Sequence, residues 1–267
     1  MMKIFFNAQQ IDTNFSTSKE FFDSVSKNES DVFIVNGFAT KENEPLKEGD
    51  ELFCVPKGEL PPKEALEAMM SARHTPKVFA RLKKARVAVC GLGGLGSHIA
   101  IMLARSGVGE LDLIDFDTID SSNLNRQAYR VCDLGKFKTE ALKAQIKELN
   151  PFVKITIHTL KIDENNIKNL FKGVDIVCEA FDNAKAKAML AQNLHKYFPK
   201  TILISASGLA GFGDSNSIKT HKIANNFYVC GDLHSAAKVG RGLMAPRVNL
   251  CASHQANLVL ELLCENL

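Results

Sequence analysis

The chain has 267 residues, with 33 Lys and Arg against 30 Asp and Glu, and a formal net charge of +3. Hydrophobic residues make up 45% and charged residues 24%, which is typical of soluble globular proteins and excludes a disordered or fibrous chain. No apolar run approaches the roughly 20 residues needed to span a bilayer, and no cleavage pattern follows Met1–Asn7. We therefore expect a cytoplasmic protein of one or two domains without a membrane partner.

The charge is unevenly distributed along the chain. Residues 1–63 hold 7 Lys and 11 Asp or Glu, a net charge of −4, whereas the remainder holds 26 basic and 19 acidic residues, a net charge of +7. This difference indicates two modules, which we place at residues 1–58 and 59–267. A charge of +7 without a basic stripe does not favour nucleic acid as a partner.

The seven cysteines are an odd number and include no Cys-x-x-Cys pair. They are also spread over most of the chain, at positions 54, 90, 132, 178, 230, 251 and 264. This pattern disfavours a disulfide framework and a zinc site made of four thiolates.

The acidic first module predicts a small α+β unit. In chain order its pattern indicates two strands around a turn, a helix capped by Thr17 or Ser18, and two further strands: residues 3–8, 10–15, 19–26, 31–37 and 51–55. Pro61 and Pro62 then interrupt the chain, and a helix is expected to begin at Lys63.

From Arg86 onward, apolar strands alternate with helical patterns. The predicted strands are Arg86–Cys90, Glu110–Asp115, Val153–His158, Asp175–Glu179 and Thr201–Ser205, and the predicted helices are Leu95–Arg105, Lys138–Leu149, Asn165–Phe171 and Ala184–Lys196. Continuously apolar strands separated by single helices are typical of a parallel sheet covered on both faces. The second module is therefore predicted to be a doubly wound, Rossmann-like α/β domain.

A glycine-rich loop follows the first strand of this domain. Gly91–Ser97, with the sequence Gly-Leu-Gly-Gly-Leu-Gly-Ser, stands between a predicted strand and a predicted helix. Such a loop brings backbone amides and the positive end of a helix dipole to phosphate oxygens. Asp115 ends the next strand, where a carboxylate can bind a ribose hydroxyl, so this part alone predicts NAD.

Polar residues beyond that strand favour a different nucleotide. Asp117, the segment Asn123–Gln127 and Lys138 lie where the ligands of such sheets bind. Fixed cations such as Arg126 and Lys138 suit a triphosphate, whose charge must be neutralised as pyrophosphate leaves. A hydride-transfer site has no need of them.

These motifs together closely resemble the ThiF/MoeB/HesA family of adenylating enzymes, relatives of the ubiquitin-activating enzymes. The resemblance covers the chain from about Arg73 to the end. It implies an ATP and Mg²⁺ site in which Gly91, Gly93, Gly94 and Gly96 cradle phosphates, Asp115 binds the ribose, Asp117 takes part in nucleotide binding, and Asn123 and Gln127 align the phosphates or the loop. It further implies that Arg126 and Lys138 stabilise developing charge and that Asp182, after the strand ending at Glu179, holds magnesium. Arg73 would act across the interface of a homodimer.

The first module is similar to the ubiquitin-like sulfur carrier ThiS, a β-grasp protein. Such carriers end in a free Gly-Gly carboxylate, whereas this segment continues through Lys57–Glu59. The two resemblances imply an adenylyltransferase that activates a separate ubiquitin-like sulfur carrier, with a desulfurase as sulfur donor and thiamine thiazole as the pathway. We expect the fused module itself not to be activated.

The sequence departs from the family at its cysteines. Many relatives bind zinc through two Cys-x-x-Cys pairs, which this chain lacks, so no structural zinc is expected. A mixed site of Cys230, His221, His234 and His254 can be drawn, but its spacing is irregular. Some relatives use a loop cysteine as a covalent acceptor, and Cys230 is the best candidate because its surroundings predict a loop.

Three alternatives remain at this point. A tRNA-modifying relative, a threonylcarbamoyladenosine dehydratase, belongs to the same superfamily. An NAD-dependent oxidoreductase would need a catalytic acid that the sequence does not identify. A non-catalytic scaffold is disfavoured because Arg126, Lys138 and Asp182 are all present.

Overall fold

Residues 2–55 form a five-stranded sheet crossed by one helix in the computed structural model, which describes residues 1–265. The elements are β1 (Met2–Phe6), β2 (Gln9–Thr13), α1 (Ser18–Val25), β3 (Val32–Val35), β4 (Phe38–Ala39) and β5 (Glu51–Val55). The strands lie in the order β2-β1-β5-β3-β4, and the central pair β1 and β5 is parallel while the other pairs are antiparallel. This is the β-grasp arrangement that the sequence predicts, with the two-residue strand β4 added.

Helix α1 is fixed at its start by a capping box and along one face by aromatic packing. The Thr17 side chain accepts a hydrogen bond from the Glu20 amide, and the Glu20 side chain reaches back to the cap. Phe21 and Phe22 are buried against the sheet, and the rings of Phe22 and Phe33 stack with centroids 4.4 Å apart.

The opposite face of this sheet is covered by helix α2 (Lys63–His74). Ile34 and Phe53 pack there with Ala65. At Gly37, φ is +84° and a Cβ would lie 2.1 Å from the Ala68 carbonyl oxygen, so only glycine fits between the β3–β4 turn and α2.

The chain divides into two units, Met1–Ala80 and the segment from Arg81 onward. Helix α2 packs on the first sheet and therefore falls within the first compact unit, while the domain boundary expected after residue 58 stays a prediction. Helix α3 (Pro76–Lys84) spans the division.

The second unit contains a seven-stranded sheet with helices on both faces. Its elements are β6 (Arg86–Cys90), α4 (Gly94–Arg105), β7 (Glu110–Ile114), α5 (Lys138–Leu149), β8 (Lys154–His158), α6 (Ile167–Leu170), β9 (Ile176–Glu179), α7 (Ala184–Tyr197), β10 (Ile202–Ala206), β11 (Lys219–Ala224), β12 (Phe227–Gly231) and α8 (Ala245–Cys264). The strand order is β11-β12-β10-β9-β6-β7-β8, parallel except for the edge strand β11. The predicted doubly wound sheet is confirmed.

The strand order places a crevice at the carboxyl ends of β6 and β9. The chain runs from β6 to β7 and β8 on one side, and then returns to place β9 on the other side of β6. Ligands of open parallel sheets bind at such a switch point. The four last residues of β6 and all four of β9 are buried, since separate apolar cores cover the two faces of the sheet.

The sequence predicts neither β11 nor β12. Most residues of β11 are exposed, so its sequence lacks both an apolar run and an alternating pattern. Within the described residues, no helix is long and apolar enough to cross a bilayer.

Candidate active site

The glycine loop joins β6 to α4 at the carboxyl edge of the sheet. Gly91 has φ +85°, and a Cβ there would lie 3.0 Å from the Ala180 carbonyl oxygen. A Cβ at Gly96 would lie 1.8 Å from the Gly91 carbonyl oxygen, so the first turn of α4 can approach the loop only with glycine. The 12-residue helix α4 directs its free amides and the positive end of its dipole to this edge.

Leu92, in the middle of this loop, is held through both of its backbone polar groups. Its amide donates to Asp115 Oδ2 at 2.6 Å, and its carbonyl accepts from the Tyr129 hydroxyl at 2.8 Å. The other oxygen of Asp115 accepts the Asp117 amide at 2.8 Å. Asp115, at the end of β7, is therefore buried and oriented by the backbone around it.

Residues 117–138 form a loop whose two ends are joined. The Lys138 amide donates to the Asp117 carbonyl at 3.0 Å, and Lys138 Nζ donates to Asp117 Oδ2 at 2.9 Å. The Lys138 side chain is almost fully buried, while Asp117 is about half exposed, at 47%. An ammonium group thus stands at the start of α5 with Asp117 as its carboxylate partner, and the Asp117 amide is in turn bound by Asp115.

The segment Asn123–Gln127 lies over the glycine loop. A Cβ at Gly94 would be 3.5 Å from Arg126 Cγ, and one at Gly93 would be 3.9 Å from Gln127 Nε2. Asn123 closes a short 3₁₀ turn, in which its Oδ1 accepts the Asp120 amide at 3.1 Å.

Arg126 and Gln127 retain hydrogen-bonding capacity. Arg126 Nη1 donates to the Ser122 carbonyl at 3.0 Å and to Asn125 Oδ1 at 2.8 Å, which uses one of its nitrogens. Gln127 is 8% exposed, and its Oε1 finds no hydrogen-bond partner within residues 1–265. A buried amide oxygen of this kind is costly unless a ligand or water satisfies it, which supports a polar ligand beside the glycine loop.

Asp182 follows β9 and is exposed. Its neighbour Phe181 contacts the glycine loop, since Phe181 Cδ1 lies 3.2 Å from the position of a Cβ at Gly91. Residues 1–265 contain no group of three or more His, Cys, Asp or Glu side chains that could hold a metal. Magnesium in nucleotide sites is bound by one or two carboxylates together with phosphate oxygens and water, so Asp182 fits a magnesium ion that arrives with a nucleotide.

The predicted residues Gly91, Gly93, Gly94, Gly96, Asp115, Asp117, Asn123, Arg126, Gln127, Lys138 and Asp182 thus belong to the second unit and surround one edge of its sheet. Arg73 belongs to the first unit. It is exposed on α2, where its Nη1 lies 3.5 Å from the Met69 carbonyl oxygen, and its role across a dimer interface stays a prediction.

The sequence predicts a loop around Cys230, but this prediction is wrong. Cys230 lies in strand β12, where it is fully buried. Burial raises the pKa of its thiol to about 11, so the thiolate needed for covalent catalysis is scarce at neutral pH. The mixed zinc site is not assembled either. The ring of His221 lies 3.2 Å from the Gly231 carbonyl oxygen, and His254 lies 3.3 Å from the Thr220 hydroxyl.

A second buried polar cluster holds the loops that follow β10 and β12. Asp232 accepts hydrogen bonds from the amides of His234 and Ser235, from the Ser235 hydroxyl, and from Arg247 Nη2 at 2.5 Å. Although burial alone would raise the pKa of Asp232, these hydrogen bonds hold it well below its usual value. Arg247 also donates to the Asp214 carbonyl at 3.0 Å, so this cluster joins two loops to the start of α8.

Sequence reasoning missed two groups near the glycine loop. One is Tyr129, and the other is the buried Glu179, whose two carboxylate oxygens each accept a hydrogen bond from Lys187 Nζ at 2.9 Å. A glutamate at the end of an otherwise apolar strand was a visible signal, but only the fold identifies its partner.

Comparison with known proteins assigns both parts of the chain. The model of the ThiS-like ubiquitin family matches residues 2–58, and the ThiF family model matches residues 67–266. The chain is 39% identical over 148 residues to tRNA threonylcarbamoyladenosine dehydratase of Haemophilus influenzae, a match that covers 55% of this chain and 56% of the relative. The chain thus spans about half the length of that protein.

A second relative and a solved structure are also similar to this chain. Molybdopterin-synthase adenylyltransferase of Salmonella typhimurium is 34% identical over 188 residues, which are 68% of this chain and 74% of that protein. The crystal structure of E. coli tRNA N6-threonylcarbamoyladenosine dehydratase in complex with AMP matches with a TM-score of 0.69 and 20% identity, over 77% of this chain and 98% of that one, which shows a shared fold. The glycine loop, the aspartate at the next strand end and these matches lead to one conclusion: the chain belongs to the ThiF family and carries a ThiS-like ubiquitin domain at residues 2–58.

Proposed function

We propose that this protein is an ATP-dependent adenylyltransferase that activates the C-terminal carboxylate of a separate ubiquitin-like sulfur carrier protein. The observation that carries the proposal is the assembly of Asp115, Arg126, Lys138 and Asp182 around the glycine loop at one edge of the sheet. The relative named molybdopterin-synthase adenylyltransferase supports the same reaction class. The ThiS-like family of the front module favours a carrier of thiamine thiazole synthesis, with a desulfurase as sulfur donor.

In the proposed reaction, a carboxylate oxygen of the carrier attacks the α-phosphorus of ATP, and pyrophosphate leaves. A carboxylate is already nucleophilic at pH 7, so the enzyme contributes positioning and charge neutralisation. Asp115 retains lone pairs on both oxygens for the ribose hydroxyls, because each oxygen accepts one amide. The amides at the start of α4 would bind phosphate oxygens, and Asn123 and Gln127 would align the phosphates or the loop, with the buried Gln127 Oε1 left for a polar partner.

The cations act on the charge that develops on the phosphates. Lys138 would exchange its contact with Asp117 for a phosphate oxygen, and Arg126, whose Nε and Nη2 have no hydrogen-bond partner among residues 1–265, could bind a second one. Asp182 would hold the magnesium ion that accompanies ATP, which screens phosphate charge. Arg73 would complete the site from the second subunit of a homodimer.

We expect Arg126→Ala and Asp182→Ala each to slow ATP–pyrophosphate exchange at least about a hundredfold, because loss of one charged contact at a reacting phosphate raises the barrier by about 2–4 kcal/mol. The measurement is carrier-dependent exchange of labelled pyrophosphate. Arg130→Ala is the matched control, since Arg130 lies in the same loop but makes an exposed ion pair with Glu148 at 3.1 Å. Exchange near the wild-type rate in either site variant would contradict the assignment.

The fused module is proposed to be a structural domain and not the substrate. Strand β5 continues into residues 56–62 and then into α2, so the module has no free carboxylate at its end. Mass spectrometry after incubation with ATP should find no adenylate or thiocarboxylate on this chain. Detection of either group would overturn the idea.

A second candidate function is that of the tRNA threonylcarbamoyladenosine dehydratases. It is favoured by the 39% identity to the Haemophilus influenzae protein. The same assay separates the two: stimulation of ATP turnover by tRNA supports the dehydratase, whereas stimulation by a carrier protein supports the adenylyltransferase.

A further inference from the structure

A buried charged network stands beside the glycine loop, at the carboxyl ends of β9 and β10. Glu179, the last residue of β9, is 1% exposed. Both of its oxygens accept hydrogen bonds from Lys187 Nζ at 2.9 Å, and Oε2 also accepts the Ser205 hydroxyl. Oε1 also accepts the Phe181 amide at 2.5 Å. The carboxylate therefore has four donors from β10, α7 and its own strand end.

The network is not explained by stability alone. A buried ion pair gains little over well-packed apolar residues of similar volume, because both charges lose their hydration. Lys187 Nζ also donates to the Ala206 carbonyl at 3.1 Å, so all three N–H donors of its ammonium group are hydrogen-bonded. The four hydrogen bonds to the Glu179 carboxylate hold the carboxyl end of β9, where the chain continues into residues 180–183.

The segment that leaves β9 is the one that carries Asp182. On one side of Asp182, the Phe181 amide is bound by Glu179. On the other side, Asn183 caps α7 by accepting the amides of Lys185 and Ala186 at 2.9 and 3.1 Å. The same segment contacts the glycine loop, since the Ala180 carbonyl oxygen lies 3.0 Å from the position of a Cβ at Gly91. Asp182 is thus exposed itself but held between two fixed backbone positions.

We propose that Glu179, held by Lys187 and Ser205, is a positioning residue that fixes the backbone from which Asp182 reaches the metal–nucleotide complex. The proposal rests on the function proposed above, which assigns that complex to Asp182. Groups that orient a metal-binding carboxylate affect metal affinity without contacting the metal.

The test is Glu179→Gln, which keeps the shape of the side chain but replaces one accepting oxygen by a donating amide. Two quantities are measured: hydrogen exchange of the Phe181 amide in the free protein, and the ratio of ATP affinities with and without Mg²⁺ by calorimetry. We expect exchange at least about tenfold faster and a Mg²⁺-dependent gain in affinity at least about tenfold smaller. Ser205→Ala, which removes one donor only, should move both quantities in the same direction by less.

Asp112→Asn is the matched control. Asp112 is also fully buried and is paired with Arg86 at 2.7 Å, but it lies within β7, two residues before the strand end. This variant should lower the stability of the protein while leaving the Mg²⁺-dependent gain and the Phe181 amide as in the wild type.

The outcomes separate this proposal from the function on which it rests. If Asp182→Ala loses the Mg²⁺-dependent gain but Glu179→Gln and Ser205→Ala keep it, the positioning role is wrong. Unchanged exchange of the Phe181 amide in both variants overturns it as well. If the wild type and Asp182→Ala bind ATP alike with and without Mg²⁺, the metal role of Asp182 fails, and the positioning role fails with it.

Discussion

At the scale of single residues, the glycine loop is shaped as much by Leu92 as by its glycines. The amide and the carbonyl of Leu92 are both used inside the protein, by Asp115 and Tyr129. The Tyr129 hydroxyl keeps its proton, because burial and the nearby carboxylates Asp115, Asp133 and Asp117 raise its pKa. It therefore donates to Leu92 at any physiological pH, and the loop is preorganised before a nucleotide binds.

Tyr129→Phe should weaken ATP binding about tenfold, because it leaves the buried Leu92 carbonyl without a partner, at a cost of about 1–3 kcal/mol. Affinity is measured by calorimetry, and folding by the thermal midpoint. The control is Tyr197→Phe, which removes a hydroxyl at the opposite end of α7 from Asp182. A lower midpoint with unchanged ATP affinity would show that Tyr129 serves stability alone.

At the scale of elements, the cluster of Asp232 and Arg247 determines how the loops after β10 and β12 meet α8. Two glycines lie in close contact at this cluster. A Cβ at Gly208 would lie 2.1 Å from Asp232 Oδ1, and a Cβ at Gly231 would lie 1.7 Å from the Ser207 carbonyl oxygen. The bonds from His234 and Ser235 to Asp232 are local in sequence, but the pairing of Asp232 with Arg247 forms only when α8 packs on the sheet.

Asp232→Asn should lower the free energy of unfolding by about 3–5 kcal/mol at pH 7, because it leaves Arg247 buried without a counter-ion. The folded-state pKa of Asp232 is depressed, so its stabilisation is complete above the unfolded pKa of about 3.9 and is lost as the pH falls below that value. Urea unfolding of wild type and variant at pH 7, 5 and 3.5 checks this. A difference that grows on acidification would contradict the assigned direction.

At the scale of the whole molecule, the parts predictable from the sequence are those encoded within short stretches. Gly91, Gly96 and Asp115 follow from one strand–loop–helix–strand segment, and the apolar strands predict the parallel sheet. The glycine and aspartate that follow Cys230 predict a loop there, although Phe227, Tyr228 and Val229 have high strand propensity and do form β12. The pairings of Tyr129 with Leu92 and of Glu179 with Lys187 depend on tertiary contacts that no periodicity encodes.

The boundary expected after residue 58 stays a prediction, and the packing of α2 on the first sheet can be tested through Gly37. Gly37→Ala should destabilise the first unit by more than about 2 kcal/mol, because the new Cβ meets the Ala68 carbonyl in a backbone conformation that alanine disfavours. Gly49→Ala is the matched control, since its φ of +86° is similar but nothing lies within 4 Å of a Cβ there, so it should lose only about 1 kcal/mol.

The Gly37→Ala variant should change the unfolding temperature of the first unit, measured by calorimetry, but not the ATP affinity. The apolar cores of the first unit, around Phe22 and Phe53, share no residue with the cores that cover the larger sheet. The transition of the first unit should therefore move to lower temperature, while ATP affinity stays within about twofold of the wild type, because the glycine loop belongs to the second unit. If Gly37→Ala and Gly49→Ala lose equal stability, α2 does not stabilise the first sheet, which would support the boundary after residue 58.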